Sequence, residues 1–545
     1  MKKIVLYMRE FLWGICTVVV ISGMSACSDF LESESHHTLP DEHSWNTLED
    51  ARAGLMGMYG LMRAALADNN THWACGELRN GDFTAYGRAD LDAIIHNDLN
   101  RNIPMIDEIS DWRRFYAVVN AASVFIENVG NVLGQDKAYS EQTLKWDVAQ
   151  AHALRGLAYF YMVRIWGDVP LVTYSYDNGS FPKIGRSSSD KVLQYAKNEL
   201  LAAAAELPFE FGSGNNKYYW QDPTLWEGKL LNKLSVYAIL AHLSAWEGNY
   251  ADTEAYATYV LDNYEAIGIT GSLQNILEVD NIVDTKGLFN ASYTTYAPYR
   301  LVAFNFLDNK DVTQSGHLEQ WTLCEPYIRK IYPDLYVTKD SLYHIYDDWK
   351  DLRFGIDTVA GSKYRSAYID MTYAKPIFKK INVVQNGAGK DGDFAVFGSS
   401  ILLSRMEDML LLRTEALAVL NRVDDAVEQL NQLRVKRGLS QVSFKKNFGE
   451  DVNKLIDNIF AERRRELIGE GHRWYDLVRW DIAQKVLNGQ RLHGIKIEKT
   501  GSSFLYTRVE CDTQDRKFPK KYNIFPIPSS ELRNNIMCEQ TPSWK

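Results

Sequence analysis

The chain has 545 residues, 46% hydrophobic and 24% charged, a composition that builds a substantial core and excludes a disordered chain. The formal net charge of −10, with no basic tract, argues against a nucleic acid or an anionic membrane surface as the main partner. Aromatic residues are plentiful at 12%, with 31 Tyr and 14 Trp.

The first residues carry Lys2, Lys3 and Arg9, then the apolar run FLWGICTVVVISG (Phe11–Gly23). That run is shorter than the ~20 residues of a membrane span and reads as an export signal. Translation could begin at Met1 or at Met8. MSAC (Met24–Cys27) places small residues before a cysteine, the pattern of a bacterial lipobox. Cys27 is therefore the expected lipidation site and mature N-terminus. No later stretch looks apolar enough to span a membrane, so a lipid would be the anchor. The expected division is a signal peptide at 1–26, a polar tether at 27–45 and a single domain at 46–545. His36, His37, Asp41 and His43 read as solvated tether rather than metal ligands.

From Thr47 a helical period takes over. Amphipathic helices are expected at 48–66, 111–129, 145–167, 187–208, 228–248 and 250–264, the last two joined by GNY as an αα-hairpin. A second pair follows at 404–421 and 422–439. The two pairs share a pattern: a helix with small residues, a tight polar turn, then a helix with Ala near its start. This is similar to the tetratricopeptide repeat. An isolated pair leaves an apolar face open, so at least three stacked pairs are expected, with 48–129 and 145–207 supplying the others. The fold class is thus mostly α, a helix-pair scaffold with long irregular insertions at about 67–110 and 265–400. Short strands and a last helical turn are expected near the C-terminus.

Two kinds of residue cluster compete as functional sites. ERRRELIGEGHRWYDLVRW (Glu462–Trp480) resembles an active site in its density of carboxylates and arginines. However, Glu462, Glu466 and Glu470 are spaced i, i+4, i+8 on one helical stripe. Acid/base hydrolysis of a glycoside needs two carboxyls facing each other across ~5–9.5 Å. Arginines this near would also hold the carboxyls ionised. Forks between arginine and carboxylate that lock one helix to the next are the better account. Gly469 or Gly471 would end this helix, and a following one would bury Trp474, Leu477 and Val478. There is no GxSxG elbow and no phosphate loop; NGAGKDGD (386–393) has the wrong spacing. KDGD could contribute to a calcium site, but a glycine turn is the plainer reading, and no metal or other cofactor is predicted. Cys75, Cys324, Cys511 and Cys538 show no metal or redox spacing, and their pairing cannot be read.

The insertions are the better site. Residues 289–378 hold 18 aromatics in 90 positions, against 12% for the chain. A Tyr or Trp ring covers the C–H face of a sugar while polar groups satisfy its hydroxyls. The candidates are Trp73, Arg79, Asp82 and Tyr86 in the first insertion, with Tyr293, Tyr296, Tyr299, Trp321 and Tyr327 in the second.

An ordered set of motifs then points to a family. The lipobox and CSDFLE are followed by LRGLAYFYMVRIWGDVPLV, LLLRTEALAVLNRVDDAVEQLNQLRVKRGL, FAERRRELIGEGHRWYDLVRW and NIFPIPSSELRNN. Together they resemble the SusD/RagB family of Bacteroidetes outer-membrane lipoproteins. The resemblance implies four tetratricopeptide-like pairs and a binding face made by the inserted loops. It implies a surface-exposed lipoprotein sitting as a lid over a SusC-like TonB-dependent transporter. It further implies oligosaccharide capture without catalysis, with peptide uptake of the RagB type as the alternative. The carboxylates Glu466 and Glu470 keep a glycoside hydrolase as a third reading.

Overall fold

The computed structural model describes residues 45–544, except 80, 100, 177–180, 213–217, 222–224, 284–286, 293, 307–314, 356–366, 387–394, 488–493, 501–502 and 510–523. The expected signal peptide, Cys27 and the expected tether up to residue 44 lie outside the described residues, as do Cys511 and most of NGAGKDGD.

Ten helices build the scaffold: α1 (Leu48–Ala67), α2 (Arg113–Asn128), α3 (Glu141–Trp166), α4 (Ser189–Glu206), α5 (Lys233–Trp246), α6 (Tyr250–Asp262), α7 (Met406–Val419), α8 (Val423–Lys436), α9 (Val452–Leu467) and α10 (Arg473–Leu487). Six of these starts are capped by a side chain. Thr47 closes a capping box with Asp50 on α1, and the side chains of Ser140, Ser188, Asn232, Asn249 and Asp451 accept backbone N–H groups that would otherwise go unpaired at the starts of α3, α4, α5, α6 and α9. Packing runs in chain order: α1 on α2, α2 on α3, α3 on α4, and so on to α8, with α9 returning onto α7 and α10 onto α9. The result is four stacked pairs, α1/α2, α3/α4, α5/α6 and α7/α8, as expected.

Burial follows position in the stack. Helix α3 is covered by α2 and α4, and from Ala149 to Trp166 nearly every side chain is buried. Gly156 makes the close approach possible: a Cβ there would sit 2.9 Å from Leu200 Cγ and 3.0 Å from the Ala196 carbonyl oxygen on α4. The helical run Pro104–Gln135 is long and apolar enough by composition to cross a membrane, contrary to the expectation from sequence. Its α2 portion is nonetheless a scaffold helix packed between α1 and α3.

Two excursions leave the stack, 68–112 between α1 and α2 and 263–405 between α6 and α7. Short antiparallel strands fasten them. β1 (Thr84–Ala85) in the first excursion and β3 (Leu335–Tyr336) in the second pair as Thr84 opposite Tyr336 and Ala85 opposite Leu335. Between them in sequence, β2 (Arg300–Phe304) pairs with β4 (Ile401–Arg405), whose end runs directly into α7. Near the C-terminus β5 (Gly494–Thr500) and β6 (Ser503–Val509) form a hairpin, and a short helix covers Ser529–Asn534.

Candidate functional site

The motif at Glu462–Trp480 is the hub of the fold. Glu462, Glu466 and Glu470 are buried, at 0%, 0% and 1% exposure. Arg353 reaches Glu462 at 2.7 Å and Glu466 at 3.0 Å. Arg437 donates two hydrogen bonds to Glu466, both at 2.8 Å. Arg405 and Lys380 share Glu470 at 2.8 and 2.5 Å. Burial opposes ionisation of these carboxyls, but the guanidinium groups outweigh it. Arg353, Arg465 and Arg434 hold Glu462 down at about 2. Glu466, beside Arg437 and Arg405, lies well below the usual carboxylate range.

The neighbouring arginines work the same way. Arg463 bridges Asp476 on α10 and Asp408 on α7, and Arg479 forks onto Glu415. Lys380 donates to the carbonyls of Glu466 and Ile468, which occupy the free end of α9. Gly469 and Gly471 form the turn, each at φ 78°, and their N–H groups donate to the Glu77 carboxylate at 2.7 and 2.9 Å. Trp474 and Val478 are buried as expected, whereas Leu477 is only half-buried.

The sequence candidates divide by burial. Trp73 is fully buried, edge-on to His72. Arg79, 1% exposed, donates to Asn97 at 2.8 Å and lies 4.1 Å over the Trp474 ring; burial pushes its guanidinium down to about 10. Asp82 is taken by Arg464, whose Nε donates at 2.9 Å, with Arg473 at 3.5 Å. Trp321 is buried in the short helix Glu319–Thr322. These four residues are packed into the fold and present almost no surface to a ligand. Tyr299 is half-buried at the entry to β2. Tyr293 lies outside the described residues, and so does the side chain of Tyr296.

Tyr86 remains, and it is exposed at 43%. Its ring meets that of Tyr332 edge to face, with centroids 5.4 Å apart and planes at 72°. Lys375 Nζ lies 3.9 Å from the Tyr86 centroid and 4.5 Å from that of Tyr332. Three segments make this platform. The β1–β3 pairing brings Tyr86 to the second excursion, and the Tyr86 N–H donates to the Asp334 carbonyl at 2.7 Å. The Asp334 carboxylate is held by Arg88 at 3.3 Å and Lys330 at 2.9 Å, which fixes the two loops together. A hairpin with Ile369 opposite Phe378 presents Tyr373 and Lys375 from its turn. Tyr327 lies half-buried on the Leu323–Ile328–Ile377 cluster, where burial, with Asp370 and Tyr373 nearby, raises its hydroxyl to about 12. Tyr332, Tyr373, Lys375 and Arg88 were absent from the sequence candidates. The aromatic enrichment of 289–378 pointed to their neighbourhood but could not choose among its rings.

This arrangement offers two aromatic faces, a cation between them and hydrogen-bonding groups around the rim, which suits a polyhydroxylated ring. Among the described residues no group of His, Cys, Asp and Glu could hold a metal ion, and Cys75, Cys324 and Cys538 are free and buried.

Comparison with known proteins agrees with the motifs. Residues 340–544 match the model of the SusD family, and residues 29–220 match a family described as starch-binding, associating with the outer membrane. A SusD superfamily protein of Bacteroides thetaiotaomicron, known from its crystal structure, is 46% identical with a TM-score of 0.78, covering 92% of this chain and 100% of that one. SusD-like protein P38 of Formosa agariphila is 25% identical over 86% of this chain and 91% of its own length. A solved structure described as a laminarin-binding SusD-like protein is 19% identical, with a TM-score of 0.61, covering 91% of this chain and 100% of that one. The chain belongs to the SusD/RagB family.

Proposed function

We propose that this protein is a non-catalytic, glycan-capturing lipoprotein of the outer membrane, anchored through Cys27 at the cell surface, that passes oligosaccharides to a SusC-like TonB-dependent transporter. The observation that carries the reading is the exposed Tyr86–Tyr332 pair with Lys375 on the loop face of a SusD-family scaffold. The descriptions of relatives as starch-binding and laminarin-binding support a carbohydrate ligand. Absence of catalysis is supported by the hub, whose carboxyls are buried and held ionised by arginine, whereas a general acid must be reachable and protonated.

Isothermal titration against neutral polysaccharides, laminarin and starch among them, tests the ligand class. Binding to at least one is expected. Tyr86→Ala with Tyr332→Ala should weaken it by about tenfold or more, the scale of a truncated aromatic anchor. Binding to peptides and to no glycan would replace this reading with peptide uptake. Turnover of any bound glycan would end the non-catalytic view. For the anchor, Cys27→Ala is expected to leave the protein off the outer membrane, and unchanged surface labelling of that variant would refute the lipid attachment.

A further inference from the structure

A small chamber lies in the core where the turn after α9 meets α3 and α5, and it shares no residue with the tyrosine platform. Helix α3 presents Tyr161 and Arg164 to it, three positions apart on one stripe. His72, His242 on α5 and His472 supply more of its polar wall. It offers the centre of a water molecule about 30 Å³, where a single water needs roughly 10–15 Å³. That size excludes a sugar and admits only a very small occupant. The three histidines do not form a metal-holding group.

The cation of this chamber has no counter-charge. Arg164 is only 9% exposed, and its Nε has no hydrogen-bond partner. Among the described residues no carboxylate pairs with it. Its Cζ lies 4.3, 4.3 and 4.2 Å from the ring centroids of Phe160, Tyr161 and Tyr475. Ring faces cover a guanidinium above and below, whereas its N–H groups point outward in its own plane. The Tyr161 hydroxyl beside it meets part of that in-plane demand. Burial pushes this hydroxyl up to about 12, so it brings no charge.

The acids nearby are already paired. Asp408 accepts from Arg463 at 2.9 Å, from His242 at 2.7 Å and from Ser404 at 2.8 Å. Asp476 holds Arg463 and Arg479, and Glu470 holds Arg405 and Lys380. His72 is used on both nitrogens: Nε2 donates to the Glu470 carbonyl at 3.1 Å, and Nδ1 accepts the Tyr161 hydroxyl at 3.2 Å. His472 differs. It is 8% exposed and stacks on His242 with centroids 5.8 Å apart, and its ring makes no hydrogen bond among the described residues. Burial, with His242 and Arg463 nearby, holds it down at about 4, although Asp408 and Asp476 pull the other way. At neutral pH the ring is therefore uncharged and keeps one N–H to donate.

We propose that this chamber is a binding site for a small monovalent inorganic anion of the size of chloride. The anion would lie in the plane of the Arg164 guanidinium and accept the His472 N–H. It would supply the charge that Arg164 lacks and tie α3 to the turn that carries His472, independently of any glycan on the platform.

Bromide, which scatters anomalously, is the crystallographic probe. Crystals of the full chain soaked in sodium bromide are expected to show an anomalous peak in the chamber, in contact with nitrogens of Arg164 and His472. In solution, sodium chloride is titrated against sodium gluconate at constant ionic strength while denaturant unfolding is followed. Once the site is well filled, the folding constant should grow about tenfold for each tenfold rise in chloride, the slope of one bound anion. Arg164→Met keeps an apolar stem and removes the charge, and it should weaken chloride by at least about tenfold, the worth of a hydrogen bond from a charged group. His472→Phe keeps a ring and removes the donor, and it should cost about threefold. The bromide map and the wild-type titration decide the matter even where a variant fails to fold. A chamber holding only water in the soaked crystals, equal response to chloride and gluconate, or an unaltered chloride response in both variants would each overturn the proposal.

Discussion

The Glu462–Arg479 hub and the Tyr86–Tyr332 platform both combine cations with aromatic rings, yet they are opposites. In the hub the arginines meet carboxylates, most of them buried, as where Arg437 grips Glu466 with two 2.8 Å bonds. On the platform Lys375 rests on ring faces in partly open surroundings, with Tyr332 51% exposed. The same residue types are architecture where they satisfy one another, and stay available to a ligand where their capacity is left to the solvent. Identity and density of residues do not distinguish the two cases; burial and partners do.

The strongest way to break this contrast is to remove one hub carboxylate. Glu466→Ala leaves Arg353, Arg405 and Arg437 short of a counter-charge, and truncating one member of a buried ion network costs about 3–5 kcal/mol. Denaturant unfolding reads the loss directly. A wild-type midpoint in that variant would mean the hub is not structural.

A smaller effect comes from pH. Glu462 titrates at about 2 in the fold and at 4.5 without it, so its contribution is intact above 4.5 and is lost as pH falls toward 2. Glu77, Asp147 and Glu319 have the opposite sign: burial raises each to about 7, so the folded state keeps their protons longer and they subtract stability as pH rises from about 4 to 7. Together they place the expected maximum of thermal stability near pH ~5. A midpoint that climbs steadily from pH 5 to 8 would contradict that assignment.

The smallest expected effect sharpens the comparison from the other side. Tyr86→Ala should change unfolding free energy by no more than about 0.5 kcal/mol, as surface substitutions do, while glycan affinity falls. Comparable loss of stability and of binding would show that the platform is itself structural.

Much of the scaffold was legible because helical packing is written locally. Apolar residues recur at 3.6-residue spacing, and the eight paired helices begin and end within a few residues of their expected bounds. The i, i+4, i+8 glutamates were likewise readable as one stripe. The site was less legible because it is made by partners far apart in the chain. Asp82 looked like a loop ligand until Arg464, 382 residues later, claimed it. Arg79 looked the same until Trp474 covered it. Tyr332 and Lys375 earn their place only through the pairing of β1 with β3 and the turn of a distant hairpin, neither of which has a local signature.

The Glu77 carboxylate that receives Gly469 and Gly471 joins positions 392 and 394 residues apart. An order of events follows for a chain emerging N-terminus first: the first excursion exists long before the turn that anchors it. Contacts of such long range form late, after the local helix pairs. A chain truncated before Glu462 should therefore keep protected amides in α3 through α6 while 68–112 exchanges freely with deuterium. Equal protection in both regions would show that the excursion docks without its C-terminal clasp. For a chain synthesised from its N-terminus, this late closure would leave the loop face unassembled until the last helices have arrived.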